Sequence, residues 1–433
     1  MPGSVAIVAA LLSDSYAERC LWQSQVEPPE LPLGPPPREA DLVIIGAGLC
    51  GLAAATAAAR AGHSVVVLDK ERLGWGASSR NGGMVIPELK AGPSALAKKY
   101  GAKGRTMFAE VNEAFDLVES LVTGPDGIDC DYRRAGLLLL AHSDHRVGDV
   151  EHEAEDLRQH GQPARFVSRA HLADEIGSDA FSAGMILERT GALHPAKFHA
   201  GMAHRALTAG ARIHDRTAAT SIRSSAGRHV VATTRGAVRA RDVFVATNAY
   251  ADDVLPWLRR RVTPVSSYII ATPALEPEVA RSVSPTGRMM VDTKNFLFYW
   301  RLTPDGRLAF GGRRSLDPVD VAAARDFLYD SMIRLHPQLA GIPVDFAWGG
   351  SVAVTRDRLP HAGQHDSVWY ATGCNGSGVA TNTWLGHRIG QVIAGQAEPP
   401  ALTGLPHPAI PGHGLSAAYL PLVSRYFAWQ DSR

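Results

Sequence analysis

The run Asp41-Leu-Val-Ile-Ile-Gly46-Ala47-Gly48-Leu49-Cys50-Gly51, answered by Val65-Val-Val-Leu-Asp69, constrains this chain more than any other stretch. It reads as a strand, a glycine turn, a helix and a second strand ending in an acid, the pattern of a βαβ dinucleotide site. Gly46 permits the tight turn, Gly48 lets the backbone approach a pyrophosphate, and Gly51 lets the helix pack close to the sheet. The alanine-rich helix that follows, Ala53 to Ala61, points its first N–H groups and its dipole at phosphates. Asp69 falls 18 positions after Gly51, near the roughly 20 expected of an acid that accepts ribose hydroxyls, with Lys70 beside it.

NAD and FAD both suit this fingerprint, and the next segment separates them. Arg72-Leu-Gly-Trp-Gly76-Ala77-Ser78-Ser79-Arg80-Asn81-Gly82-Gly83-Met84 is a loop of small residues, two hydroxyls and an amide, able to lie flat against a ligand. Ordinary surface turns share that composition, but Trp75 and Met84 embedded in it argue for a covered surface. This loop, together with Leu193-His-Pro-Ala-Lys197, Ala246-Thr247-Asn248-Ala-Tyr250, Ser267-Tyr268-Ile-Ile-Ala-Thr272 and Arg301-Leu-Thr-Pro-Asp-Gly-Arg307, resembles the D-amino-acid-oxidase-like FAD family, in its gamma-glutamylputrescine-oxidoreductase-like branch. The resemblance runs from about Tyr16 to the helix after Gly378. It implies FAD rather than NAD, bound by residues 46–51, Asp69, Lys70, residues 76–84, Ala219, Thr247, Asn248 and the turn Gly376-Ser377-Gly378-Val379-Ala380.

That last turn follows the strand Val368 to Thr372 and opens a helix from Ala380 to Ala394, with Gly395 as its C-terminal cap. A glycine-rich strand-to-helix turn presents free N–H groups and a positive helix end. It is either a plain βα turn or, as the resemblance implies, a set of donors facing the flavin pyrimidine edge, where reduction leaves negative charge.

The fold expected is α/β: a Rossmann-type FAD-binding domain with an interleaved α+β substrate domain built on a largely antiparallel sheet. The expected division is an N-terminal arm (1–37), FAD-binding segments at 38–92, 190–255 and 345–433 (the last with a C-terminal tail), and substrate-domain segments at 93–189 and 256–344. The segment Glu27 to Glu39 is dense in proline at Pro28, Pro29, Pro32, Pro35, Pro36 and Pro37, hence an extended lead into the first strand. Helical spacing is expected from Pro93 to Val122, at Glu151 to Gln159 and at Lys197 to Ala209. Strands are expected at Ala135 to Ala141, Ala211 to Ile213, Val230 to Thr234 and Val243 to Ala246.

Composition excludes several classes. Lys+Arg 44 against Asp+Glu 43 gives a formal charge of +1, so no basic face calls for nucleic acid. Cys20, Cys50, Cys130 and Cys374 lie far apart in the sequence, without zinc-ligand spacing or the redox pair of a pyridine-nucleotide-disulfide reductase. A reducing cytoplasm is the expected compartment. The apolar run from Val5 to Leu12 lacks a basic start and a cleavage site. The run Leu42 to Ala59 is accounted for by a buried strand and helix rather than a membrane span.

The chemistry implied is oxidation of a C–N bond: a hydride leaves the carbon bearing nitrogen for the flavin, and the imine formed is hydrolysed. Apolar walls favour the neutral amine that this requires, so no side-chain base is needed. Candidate catalytic residues are Tyr268, Tyr299 and Arg301. Candidate walls are Phe298, Trp300, Trp348 and Met84. Alternation along Phe296-Leu-Phe-Tyr-Trp300 puts Phe296, Phe298 and Trp300 on one face and Tyr299 and Arg301 on the other. Arg301 or Lys294 is the candidate holder of a substrate carboxylate, and His361 is either a structural histidine or a proton shuttle. Where amino-acid-specific relatives place a carboxylate-binding Arg, this chain has Val352, which favours an amine or an ω-amino compound. No Cys occupies the stretch Ser351 to Thr355 and no His the loop Ser78 to Arg80, so FAD is expected to be held without a covalent bond. Ala309 stands where sarcosine-type oxidases carry an oxygen-activating Lys, leaving dioxygen and another electron acceptor both open. Ser377 replaces the His usual in the last turn of the branch. The alternatives are a sarcosine- or glycine-oxidase-type amino-acid oxidase, and a non-catalytic or biosynthetic flavoprotein of the same fold.

Overall fold

The computed structural model describes residues 8–31, 34–225, 227–313, 315–316, 319–413 and 416–432. The first residues of the apolar run at Val5 and the arm residue Pro32 lie outside them. Two large sheets organise the chain. The first has a parallel centre in the order Val368–Thr372, Gly236–Val245, Glu39–Ile45, Val65–Leu68 and Arg212–His214. It is extended by the antiparallel strands Ala219–Ser225, Arg228–Thr233 and His361–His365. Its central strands are near-continuous runs of Val, Ile and Leu because helices cover a parallel sheet. The helix Leu49–Arg60 packs on it, with ten of its 12 residues buried, and the helix Gly378–Ile393 lies against that helix in turn. Small residues set that closeness: a Cβ on Gly386 would sit 1.9 Å from the Cys50 carbonyl oxygen, and one on Gly390 2.6 Å from that of Ala54.

The second sheet has nine strands and is largely antiparallel. Its order is Leu12–Ala17, Val344–Val354, Thr263–Ala274, Arg307–Gly312, Tyr299–Leu302, Met289–Asp292, Leu137–Ala141, Ala183–Leu187 and Ala164–Ser168. The helix Val321–Leu335 covers one face, over a core that includes Ile270, Phe298, Trp300, Phe310 and Met332. The two sheets draw on alternating segments of sequence, which is the interleaved α/β architecture expected.

One local expectation is corrected, and three further features add to the reading. The helix from Pro93 to Val122 is two helices, Pro93–Tyr100 and Ala102–Thr123, broken at Gly101 with φ +59°. Ahead of the proline segment, Leu12–Ala17 pairs in parallel with the strand Val344–Val354, and Leu21 and Trp22 are buried in the short helix Leu21–Ser24. The strand Val344–Val354 pairs within the nine-stranded sheet, and the chain returns to the first sheet after it. The C-terminal tail holds a further helix, Ser416–Gln430, with Pro421 inside it. It docks on the substrate side through Phe427 against Phe296 (6.1 Å) and Asp431 accepting from the Asn295 and Phe296 backbone N–H groups.

Candidate active site

One long cleft runs between the two sheets. At one end the glycine turn closes it. Gly46 has φ +110°, and a Cβ there would meet the Ala246 carbonyl oxygen at 2.9 Å. A Cβ on Gly51 would lie 1.9 Å from the Gly46 carbonyl oxygen, so the helix reaches the turn only because Gly51 lacks a side chain. The helix Leu49–Arg60 has no side-chain cap; its Leu49 N–H donates to Ser78 Oγ at 3.0 Å. Asp69 accepts from the Ala47 N–H at 2.8 Å and the Glu71 N–H at 2.9 Å. Burial raises its pKa against those two hydrogen bonds. His199 holds the turn from below, Nε2 to the Ala47 carbonyl at 2.8 Å, and burial keeps it neutral.

The loop after Asp69 forms the middle of the cleft. Asn81 Nδ2 donates to the Ala77 and Ser78 carbonyls, and its Oδ1 accepts from the Gly83 N–H at 2.8 Å. Arg80 donates to the Gly349 carbonyl at 2.9 Å and lies over Trp75 at 5.1 Å. The far helix Gly378–Ile393 also starts without a side-chain cap, because Ser377 Oγ donates instead to Glu88 at 2.7 Å. Gly376 there has φ +105° with nothing within 4 Å of a Cβ.

Most of the predicted cofactor residues line this cleft: Gly46, Ala47, Gly48, Leu49, Cys50, Asp69, Lys70, Gly76, Ala77, Ser78, Arg80, Asn81, Gly82, Met84, Ala219, Thr247, Asn248, Gly376, Ser377, Gly378 and Val379. Four do not. Gly51 is covered by the turn itself. Ser79 is buried, donating to the Gly74 carbonyl and accepting from Gln23 Nε2. Gly83 turns away, a Cβ there meeting the Leu193 carbonyl oxygen at 2.2 Å. Ala380 is fully buried in the helix core.

Strand parity redistributes the substrate candidates. In the strand Thr263–Ala274 it is Ser267 and Ile269 that face the cleft. Tyr268 points into the opposite core, its hydroxyl bonded to the Val319 backbone at 2.6 Å to O and 3.0 Å to N; a one-residue step along a strand exchanges faces. The same alternation puts Tyr299 in the cleft, with its hydroxyl 3.0 Å from Ser267 Oγ, and sends Phe298 and Trp300 into the core against Phe310. Arg301 shares the face of Tyr299 but lies beneath the loop, 4% exposed. It donates to the Gly82 carbonyl at 2.8 Å and the Leu193 carbonyl at 2.7 Å. It braces the loop and does not line the cleft. Lys294 lies over Phe298 at 5.3 Å, away from the cleft. Trp348 donates from its indole to the Arg80 carbonyl at 2.8 Å, supporting the loop from behind. His361 is a structural histidine, bonded to Asp357 at 3.0 Å and stacked on His407 at 4.0 Å. Ala309 is buried beside Trp348. Val352 does line the cleft.

Sequence reasoning missed Glu88, His199, Ser267 and Arg313 as cleft residues. A helix or strand period gives no signal for the first two. Ser267 and Arg313 were legible only with the register that sets Tyr268 opposite Gly312.

The cleft fits a dinucleotide. Two uncapped helix starts face it, and Thr247 Oγ1, buried in its lining, has no partner among the described residues. The family model described as FAD dependent oxidoreductase matches residues 41–392, and the chain belongs to that family. It is 31% identical to gamma-glutamylputrescine oxidoreductase of Escherichia coli (strain K12), over 90% of this chain and 92% of that protein. It is 33% identical to the probable oxidoreductase OrdL of Haemophilus influenzae, over 83% of this chain and 84% of that protein. Among solved structures, glycine oxidase from Geobacillus kaustophilus superposes with a TM-score of 0.72 at 21% identity, covering 84% of this chain and 96% of that one. The protein is therefore an FAD-dependent oxidoreductase, as the family resemblance implied. Among the described residues no helix is long and apolar enough to cross a membrane, and no cluster of metal-ligating side chains is present.

Proposed function

We propose that the protein oxidises the C–N bond of an amine or amino-acid-like substrate, with FAD held without a covalent bond. The observation that carries this reading is the continuity of one cleft from the glycine turn, past the loop 76–84, to Tyr299, Ser267 and Val352. FAD, when bound, supplies the hydride acceptor and passes its electrons to dioxygen or another acceptor. The residues do the rest. Gly46, Gly48 and the first turn of the helix Leu49–Arg60 offer backbone donors to the diphosphate. Asp69 keeps free lone pairs for ribose hydroxyls, and Ala219, Lys70 and Asp252 border the same end. The uncapped start of the helix Gly378–Ile393 offers N–H groups and dipole to negative charge.

At the other end, Met84, Ile269, Val291, Leu297, Tyr299 and Val352 make a mainly apolar wall. Such a wall disfavours an ammonium and so favours the free amine. Tyr299 is not a base: burial raises its pKa above the usual phenol value of 10.0, so it stays a neutral donor. Binding without a covalent link is supported by Val352 in the strand and by Ser78, Ser79 and Arg80 in the loop, none of which bonds flavin. The gamma-glutamylputrescine named in the E. coli relative points to a substrate with an amine at one end and polar groups at the other. We further propose that the domains divide along the two sheets, and that four unpaired cysteines and a near-neutral charge suit a cytoplasmic enzyme without a nucleic-acid partner.

Purified protein is expected to be yellow and to release its flavin on acid precipitation. A panel of primary and secondary amines and amino acids, added anaerobically, is expected to bleach it with at least one compound. Colourless protein that takes up no FAD, or a flavin that no amine reduces, overturns the reading. Flavin that stays with the polypeptide in acid overturns the non-covalent assignment alone.

A further inference from the structure

Four long cationic side chains border the cleft, and three already have an oxygen partner within the protein. Lys70 is paired with Asp252 at the glycine-turn end, at 3.9 Å. Lys90 is bonded to Glu88 at 2.7 Å. Arg80 donates to the Gly349 carbonyl and lies over the Trp75 ring, held against the loop, although its own Nε is also buried without a partner. The fourth, Arg313, directly follows the strand Arg307–Gly312, interacts with Tyr299 and lines the same cleft as Ser267 and Val352. Its Nε is buried and without a partner, and among the described residues no carboxylate pairs with it. Its charged neighbour is Arg358, another cation. Burial first, and then Arg358, lower the guanidinium pKa from its ordinary value, yet a guanidinium stays charged at any ordinary pH. A half-buried fork of donors facing a ligand cleft, and lacking an acceptor, is expensive unless a ligand completes it.

We propose that Arg313 is the anchor for a carboxylate on the substrate, set apart from the amine that is oxidised. Two facts sharpen this assignment. Arg301, the sequence's candidate for that role, spends its donors on the Gly82 and Leu193 carbonyls. Val352, two strands away across Thr263–Ala274, presents no charge to the cleft. Specificity for an acid-bearing amine over a plain amine therefore rests on a residue at the end of a different strand. A planar guanidinium binds a carboxylate through two parallel hydrogen bonds, which Lys cannot reproduce. This inference rests on the function proposed above.

The test uses FAD-loaded protein and two simple probes. Glutarate, which cannot be oxidised, is titrated while the visible spectrum of the flavin is followed. The reduction efficiencies with 4-aminobutanoate and with n-butylamine are then compared. Arg313→Met is expected to weaken glutarate binding at least tenfold, about 1.4 kcal/mol, and to lower the preference for the amino acid over the plain amine by a similar factor. Arg313→Lys is expected to recover part of the affinity. Sulfite, which adds to flavin itself, is expected to bind wild type and variants alike. Equal glutarate affinity in wild type and Arg313→Met, or no glutarate binding to a wild-type protein that amines still reduce, overturns the proposal while leaving the function intact. A parallel loss of sulfite affinity also overturns it, by assigning Arg313 to the flavin. Should Arg313→Met fail to retain FAD, Arg313→Gln and Arg313→Lys decide the matter by the same comparison. Protein that no amine reduces brings down the underlying function instead.

Discussion

At the glycine turn the cleft is walled by backbone. Gly46, Gly48 and Gly51 matter for what they lack, and the partners they offer are N–H groups whose positions follow from a strand, a turn and a helix close together in sequence. Where the nine-stranded sheet reaches the cleft, the wall is made of side chains: Tyr299, Ser267, Arg313 and Val352, from strands that meet only after long excursions of chain. The first end is suited to a ligand common to a whole family, because any sequence that keeps the turn keeps the donors. The second is suited to change, because one substitution alters what it holds without disturbing a turn.

The sharpest way to break this contrast is Gly51→Val. The added Cβ would lie 1.9 Å from the Gly46 carbonyl oxygen, and a backbone atom cannot swing aside as a side-chain tip can. Overpacking at this site is expected to cost about 3 kcal/mol or more and to leave purified protein without flavin colour. Retention of wild-type FAD content would show that the turn does not need the close helix approach argued here.

Arg301 and Arg313 sharpen the comparison, since the same residue type serves opposite purposes twelve positions apart. Burial lowers the Arg301 pKa from 12.5 to about 10, so it is charged at neutral pH, and its donors satisfy two buried carbonyls. Arg301→Met is expected to destabilise the protein by about 3 kcal/mol, because two buried acceptors lose their donor. Urea unfolding followed by circular dichroism measures it. A stable Arg301→Met protein that had lost only carboxylate affinity would reverse the two assignments.

Legibility followed the same divide. The glycine turn, its helix, the acid at Asp69 and the strand-to-helix turn at Gly376 were all readable, because each is a local pattern with a fixed spacing. Even there, spacing and resemblance named residues that do not line the cleft: Gly51, Ser79, Gly83 and Ala380. On the substrate side the alternation of Phe298, Tyr299, Trp300 and Arg301 was readable, but not which face met the core. Aromatic residues suggested a ligand wall, yet Phe298, Trp300 and Tyr268 went to the core, where large apolar surface is most stabilising. Ser267 gives little signal in one dimension, and its place depends on pairing with residues more than eighty positions away. The helix Ser416–Gln430 was hidden by Pro421, which reads as a breaker.

The two regions are also expected to answer pH in opposite directions. His194 caps the helix Pro195–Thr208 on the cofactor side, its Nδ1 accepting from the Lys197 N–H, and burial lowers its pKa from 6.5 to about 4. The folded protein holds it neutral, so the unfolded chain gains a proton first, and stability falls as pH drops from 6.5 toward 4. Asp292, 2% exposed at the end of the strand Met289–Asp292 on the substrate side, is pushed by burial from 3.8 up to about 7. There the folded protein favours the protonated acid, so stability falls as pH rises from 3.8 through about 7. Each slope is expected to amount to about 2–3 kcal/mol. In thermal unfolding across pH, His194→Gln should flatten the acid limb alone and Asp292→Asn the alkaline limb alone. Either variant flattening the other limb would refute the assignment.

The smallest effect is expected from Tyr299→Phe, and it tests whether the substrate wall acts by shape or by proton transfer. The hydroxyl it removes is 3.0 Å from Ser267 Oγ, a single neutral hydrogen bond worth about 1 kcal/mol. The ring that remains still covers the Gly82 and Gly311 backbones, where a Cβ on either glycine would meet it at 3.0 Å or closer. Since burial keeps the phenol protonated, no alkaline limb in the reduction rate belongs to it. Tyr299→Phe should therefore slow anaerobic flavin reduction less than tenfold and leave its pH profile in place. A far larger loss, or a pH limb that vanishes with the hydroxyl, would make Tyr299 a proton-transfer residue and give the substrate end a chemical role beyond desolvating an amine.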